Sequence, residues 1–181
     1  MTAAIGMIEL LFTWPGRFLA SLLPAIIAAV LVVLANLPIS FTGGVLPAPA
    51  LAFAAVYFWV LVRPDLMPPV AVLSIGLLED LLSGGPPGLW AAGFLAAYAL
   101  TDKQRDTFAG LTGTGALVAF AGAMLTAGAT AYVLASALFL RFVPLPPLLL
   151  ESMSTIAFYP LVARTCGWVQ RKLVGPMRGA D

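Results

Sequence analysis

Long apolar stretches separated by short polar or glycine- and proline-rich segments dominate this chain. A helix rises about 1.5 Å per residue, so roughly 20 apolar residues are needed to cross the hydrocarbon core of a bilayer. The pattern therefore predicts an all-α, polytopic membrane protein with about six transmembrane helices. The predicted spans are residues 18–36, 47–62, 66–82, 87–100, 115–138 and a last one that starts near residue 147 and is anchored by 151–163.

The segments between these stretches have the composition of turns and loops. Residues 83–88 read Ser-Gly-Gly-Pro-Pro-Gly, which ends a helix, and residues 102–106 carry four charges, which indicates a water-exposed loop. The uncharged run 108–140 has 33 residues. As one straight helix it would extend about 50 Å, yet it is too short for two spans and a turn. We therefore expect a single span at 115–138.

The two ends of the chain are predicted to lie outside the membrane domain. Residues 1–17 place Ile5, Ile8, Leu11 and Phe12 at helical spacing, which fits either a helix in the membrane interface or a frayed leader. The following apolar stretch is longer than the apolar core of a signal peptide, which has roughly 7–15 residues, so we interpret it as a retained span. The predicted organisation is an N-terminal segment 1–17, a six-helix domain 18–165 and a basic tail 166–181.

Composition supports a membrane protein and argues against several classes of function. Of the 181 residues, 61% are hydrophobic and 9% charged, and the mean hydropathy is +1.03. A soluble domain carries about 25% charged residues because its surface must be solvated. With no histidine and only Cys166, the chain offers no internal disulfide, no His/Cys metal cluster and no nucleophile activated by histidine. We expect a non-enzyme without metal or cofactor, and a net charge of +1 does not suggest nucleic-acid binding.

Basic residues predict the orientation of the chain. If the N-terminus is cytoplasmic, eight of the nine Lys and Arg residues fall in cytoplasmic loops and tails, and only Arg141 falls outside. This asymmetry follows the positive-inside rule and requires an even number of spans. Tyr57, Trp59 and Arg63, at the end of the second span, are predicted to anchor it at the interface.

Charged residues inside predicted spans are candidates for function because they are costly in lipid. Glu79 and Asp80 are adjacent, so they diverge by about 100° on a helix, and we expect Asp80 to point inward and Glu79 toward the interface. The favoured role for Asp80 is to accept hydrogen bonds from backbone N–H groups near the following turn, while partner binding and catalysis remain alternatives. Arg141 is predicted to pair with an acid on the same side, Glu151 above all.

Small residues recur every four positions along the fifth predicted span. Such a ridge lets helix backbones approach closely, which drives packing in lipid. Packing within this protein's own bundle is the favoured interpretation, and contact with a partner's span is the alternative. The ridge comprises Gly115, Ala119, Ala123, Ala127, Ala131 and Ala135, and beside it lies a second row of Gly122, Thr126 and Thr130.

The stretch from Tyr57 to Gly88 resembles the core signature of the rod shape-determining MreD family. The family typically shows an aromatic-Trp pair followed by a proline, then Gly-Leu-x-x-Asp-Leu, then a glycine and a Pro-Leu-Gly turn. This chain has Pro-Pro-Gly in place of the last element. The positions that carry the resemblance, in addition to Tyr57, are Trp59, Pro64, Gly76, Glu79, Asp80, Gly84, Pro87 and Gly88.

The resemblance implies a scaffold of the bacterial rod (elongation) complex in the inner membrane, with both termini cytoplasmic. Its implied partners are MreC, a single-span protein with a periplasmic domain, and through it RodA, its class B transpeptidase and cytoplasmic MreB, besides membrane lipid. No catalytic residues are carried over from the family. The family fold also resembles the six-helix substrate-binding subunits of energy-coupling-factor transporters. A vitamin-binding membrane subunit is therefore the alternative function.

Overall fold

The computed structural model describes residues 22–37 and 47–174, and this part of the chain is helical and contains no strand. A 3-10 turn at Pro64–Leu66 joins the second and third helices, and a π-helical turn at Gln170–Val174 extends the last one. The helices are α1 Leu22–Ala35, α2 Leu51–Val62, α3 Pro69–Ser83, α4 Leu89–Lys103, α5 Arg105–Ala109, α6 Thr114–Phe139 and α7 Leu145–Val169.

The prediction of an all-α chain is confirmed for the described residues, and α6 closely matches the span predicted at 115–138. Helix α7 continues to Val169, past residue 165, where the predicted six-helix domain ends. It does so because Cys166 and Gly167 are buried against the rest of the bundle. The predicted N-terminal segment 1–17 and most of the loop 37–46 lie outside the described residues.

Two helices are long and apolar enough to cross a membrane, Thr114–Phe139 and Leu145–Leu173. In the most apolar 18-residue stretch of each helix, only 39% and 22%, respectively, is buried inside the protein. Most of the apolar surface of these two helices therefore faces outward. By contrast, α2, α3 and α4 have 12, 15 and 15 residues, fewer than the roughly 20 that a straight span needs. Exposed apolar helices of this kind are typical of proteins that meet lipid rather than water.

An aromatic cluster around α2 forms the centre of the bundle. The rings of Phe120 on α6 and Tyr159 on α7 stack 4.0 Å apart at 8°, and the Tyr57 ring meets both edge-on at 5.1 and 5.8 Å. Phe53 completes the cluster, 5.1 Å from Phe94 on α4. The prediction that Tyr57 and Trp59 anchor an interface is therefore wrong, because both side chains are buried in this core, with exposures of 2% and 0%.

The ridge of small residues on α6 packs inside the bundle, as the favoured interpretation predicted. Ala119, Ala123, Ala127, Ala131 and Ala135 are all buried, and Gly115 is half-buried. Helix α4 lies between α3 and α6. It approaches α6 so closely that a Cβ added at Gly93 would lie 2.8 Å from the Ala127 carbonyl oxygen. The hydroxyls of Thr126 and Thr130, in the second row, donate to carbonyls of their own helix.

The contact between α3 and α4 depends on Gly76, and this yields a stability prediction. A Cβ at Gly76 would lie 2.5 Å from the Ala91 Cα, so Gly76→Ala must push the two helices apart. We expect a loss of roughly 1–3 kcal/mol in the free energy of unfolding, the usual cost of overpacking. Unfolding in a mild detergent, followed by circular dichroism, measures it.

The matched control is Gly122→Ala, because an added Cβ there meets nothing within 4 Å and the residue lies inside α6. Removing a glycine from a helix interior should stabilise the protein by about 0.5–1 kcal/mol. Equal effects of the two substitutions would contradict the close α3–α4 contact.

A second prediction concerns Arg63 and Asp65, between α2 and α3. The Arg63 guanidinium donates from Nε and Nη2 to the Asp65 carboxylate at 3.0 and 2.8 Å, and this hydrogen bonding lowers the pKa of Asp65. The stabilising contribution is therefore complete above the ordinary Asp pKa of about 3.9 and is lost as the pH falls through the lowered value. Asp65→Asn should flatten the dependence of the melting temperature on pH in that acidic range. An unchanged pH profile would show that the pair does not contribute.

Candidate functional site

The Asp80 carboxylate, near the end of α3, accepts three backbone hydrogen bonds from the start of α4. Its Oδ2 accepts from the Gly88 and Ala91 N–H groups at 2.8 and 3.2 Å, and its Oδ1 accepts from the Trp90 N–H at 2.7 Å. Asp80 is 1% exposed. The remaining early donor, the Leu89 N–H, donates to the Pro86 carbonyl at 3.3 Å. Asp80 thus caps α4 from a neighbouring helix, and we call this arrangement the Asp80 clasp.

The local sequence makes the clasp possible by reversing the chain within a few residues. Gly84 ends α3 in the left-handed region at φ 71°, and Gly88 precedes α4 at φ 97°. Both conformations are disfavoured for residues with a Cβ. The N-terminus of α4, which carries a partial positive charge, is thereby returned to the carboxylate. The favoured role of Asp80, a backbone acceptor, is confirmed.

The remaining signature residues lie around the clasp or in the core. Pro64 begins the 3-10 turn after α2, and Trp59 lies fully buried within α2. Pro87 is exposed in the turn that precedes α4. Leu81 follows Asp80 in the signature, yet it is 77% exposed and Leu77, one turn earlier, is 42% exposed. These two leucines are signature residues that the fold leaves on its outer surface.

Glu79 is also buried, so the expectation that it faces the interface is wrong. It is 5% exposed, and its Oε1 accepts from the Asn36 side-chain amide at 3.0 Å. The start of α4 covers Asp80, and the end of α1 covers Glu79. The two side chains are therefore both buried although they point about 100° apart on α3. The other oxygen, Oε2, is buried and has no hydrogen-bond partner among residues 22–37 and 47–174. Asn36, a single amide ending an apolar stretch, was the sequence signal for this contact.

Glu151 lies in the first turns of α7 and is half-buried. The predicted pair with Arg141 is absent: within residues 22–37 and 47–174, no acid pairs with Arg141. Its guanidinium lies 5.9 Å from the centre of the Phe139 ring, and the residue is exposed. The charge avoids the cost of burial because α6 ends at Phe139 and Arg141 lies beyond it.

A pocket of about 220 Å³ opens beside Glu151 between the ends of α4, α6 and α7. Apart from the Glu151 carboxylate its walls are mainly apolar and aromatic: Leu89, Trp90, Ala131, Tyr132, Ala135, Val143, Pro144, Pro147 and Leu148. The described residues contain no group of three or more His, Cys, Asp or Glu side chains that could hold a metal ion. Glu79, Asp80 and Glu151 therefore do not form a set of metal ligands.

Models of known protein families, curated proteins and solved structures give no match to this chain. What the site defines is thus a class of protein: a helical chain with two candidate membrane-spanning helices and a buried carboxylate clasp between two helices.

The clasp predicts that Asp80 governs stability. Asp80→Ala would leave the Gly88, Trp90 and Ala91 N–H groups without acceptors, each at a cost of about 1–3 kcal/mol. We expect a loss of at least about 3 kcal/mol, measured by unfolding in detergent. Asp102→Ala is the matched control, since Asp102 is an exposed acid on the same α4 helix. A loss for Asp80→Ala no larger than for the control would contradict the clasp.

Proposed function

We propose that this chain is a non-enzymatic scaffold of the MreD type, which crosses the bacterial inner membrane with about six helices and binds MreC in the rod complex. The resemblance of residues 57–88 to that family is the starting point. The observation that carries the proposal is the Asp80 clasp, because it gives the signature a physical purpose: it builds an α3–α4 unit of fixed geometry.

The roles of the individual signature residues support this proposal. Gly76 permits the close contact with Ala91, Gly84 and Gly88 permit the chain reversal, and Asp80 caps α4. Both Asp80 oxygens are occupied by backbone donors, which leaves this carboxylate poorly suited to catalysis or ion transfer. A residue of this kind serves architecture.

An exposed apolar face on α3 is the surface that we assign to MreC. Leu77 and Leu81 lie one turn apart, so they share a face, and Val70 and Leu73 extend it toward the start of the helix. Leu81 is exposed although the fold around it is built from the same signature. Leu77 and Leu81 belong to the signature, yet the fold leaves them exposed. Exposed apolar side chains of this kind are suited to contact a partner helix, here the single span of MreC.

The connections within the described residues leave helix faces as the main surface for binding. The turns between α3 and α4 and between α6 and α7 comprise five residues each, and the turn between α5 and α6 comprises four. The distribution of basic residues favours cytoplasmic termini under this proposal. Helices α1 to α4 are shorter than a full span, so under this proposal they would cross the membrane together with flanking residues or where the bilayer is locally thinned.

The alternative, a vitamin-binding subunit of an energy-coupling-factor type transporter, is favoured by one observation. The pocket beside Glu151 has a volume of about 220 Å³, which is large enough for a small molecule. Such a subunit would retain its ligand through purification and would associate with a coupling membrane protein and an ATPase pair.

The test is purification from native membranes through a C-terminal tag, with partners identified and quantified by mass spectrometry. We expect MreC and the wall polymerase pair at stoichiometric levels, and we expect Leu77→Ala/Leu81→Ala to reduce MreC recovery. Removing a contact that contributes about 1.4 kcal/mol reduces affinity roughly tenfold. Both leucines are exposed, so the fold should tolerate the change.

The control is Val118→Ala/Leu125→Ala, which removes exposed apolar side chains from α6 instead; their exposures are 71% and 58%. If the control reduces MreC recovery as much as the α3 variant, the α3 face is not the binding surface. Recovery of an ATPase pair in place of MreC would overturn the scaffold proposal in favour of the transporter subunit.

A further inference from the structure

The end of α7 and the π-helical turn that follows it carry three basic side chains on one exposed face. Trp168 is 56% exposed, and Arg164, Arg171 and Lys172 are exposed as well. Arg164 lies four residues before Trp168. Arg171 and Lys172 lie three and four residues after it, so the four side chains are neighbours on one side of the helix. We call this surface the Trp168 basic face.

The described part of the chain does not neutralise these three cations. They form no ion pair with any acid in residues 22–37 and 47–174. The sequence of residues 152–174 contains no Asp or Glu. By contrast, Arg63 at the end of α2 is paired with Asp65. Because like charges close together repel one another, an anion bound at the Trp168 basic face would stabilise the protein.

Packing against the bundle defines the position of one of these cations, Arg171. Gly167, one turn earlier, is buried against the bundle. A Cβ added at Gly167 would lie 3.5 Å from the Arg171 Nη1 and 3.7 Å from the Phe58 ring. The Arg171 guanidinium therefore lies in the space that the glycine leaves open, next to an aromatic ring of α2. A side chain that is already held in place loses less conformational entropy when it binds an anion.

The location of the Trp168 basic face favours an anion that belongs to a lipid. Helix α7 is one of the two candidate membrane-spanning helices, and Leu161, three residues before Arg164, is 58% exposed. The surface thus changes from apolar to basic within about one helical turn. A tryptophan flanked by basic side chains is typical of the bilayer interface, where the lipid phosphates lie. A guanidinium forms paired hydrogen bonds with phosphate oxygens.

We propose that the Trp168 basic face binds the headgroup phosphate of an anionic phospholipid whose acyl chains lie along the exposed apolar side of α7 at Leu161. The positive-inside rule requires basic residues at one end of a span, but it does not require them to share one face or to lack acidic partners. The inference rests on α7 crossing a membrane and does not depend on the identity of any protein partner.

The experiment compares phosphatidylglycerol with phosphatidylcholine of the same acyl chains, added to the full chain in a mild detergent and counted by native mass spectrometry. Both lipids carry one phosphate, but only phosphatidylglycerol has a net negative charge. We expect it to be retained at least about tenfold better, since each basic residue near a membrane surface contributes about fivefold. Arg164→Gln/Arg171→Gln/Lys172→Gln should abolish the preference. Arg164→Gln/Lys172→Gln leaves the packed Arg171 in place and should still weaken the preference at least about fivefold.

The matched control is Lys103→Gln/Arg105→Gln/Arg141→Gln, which removes the same number of positive charges from other parts of the chain and should keep the preference. Thermal unfolding in the same detergent shows that the variants retain the fold. Equal retention of the two lipids by the unmodified chain would overturn the proposal. A preference that survives in the α7 variants, or one that is lost in the control, would do the same. Displacement of phosphatidylglycerol by an equal concentration of inorganic phosphate or of a hexaglutamate peptide would overturn the assignment to a lipid.

Discussion

The carboxylate of Asp80 and the first N–H groups of α4 form the contact on which the described architecture depends. A helix N-terminus leaves four N–H groups without partners inside the helix, and in an apolar environment water does not satisfy them. One side chain from α3 accepts three hydrogen bonds there, at 2.7, 2.8 and 3.2 Å. Because α4 is capped from another helix, the position of one helix determines the position of the other.

The consequences extend through the bundle along α4. The clasp holds α3 close enough for Gly76 to lie against Ala91, and Gly93 on α4 then approaches the Ala127 carbonyl on α6. Phe94 on α4 reaches the aromatic cluster around α2. Close backbone contacts of this kind provide the dispersion energy that packs helices where the hydrophobic effect is weak. A rigid α3–α4 unit is also what the proposed partner surface on α3 requires.

Two neighbouring acids on α3, Glu79 and Asp80, differ in how completely their oxygens are hydrogen-bonded. Both oxygens of Asp80 are satisfied by the backbone, so this residue contributes to structure. Glu79 accepts one hydrogen bond from Asn36, and its buried Oε2 has no hydrogen-bond partner among the described residues. A buried carboxylate oxygen without a partner costs free energy, so the environment of Glu79 is less favourable than that of Asp80.

The sequence by itself determined the helical class, the position of α6, the chain reversal at residues 84–88 and the role of Asp80 as a backbone acceptor. These features depend on local properties: apolar length, small-residue spacing, and glycine and proline chemistry. The tertiary structure decided the burial of Tyr57 and Trp59, the burial of both Glu79 and Asp80, and the absence of an Arg141–Glu151 pair in the described residues. Helical periodicity gives the angle between two side chains on α3, but only the placement of α1 and α4 beside α3 decides which of those side chains are buried.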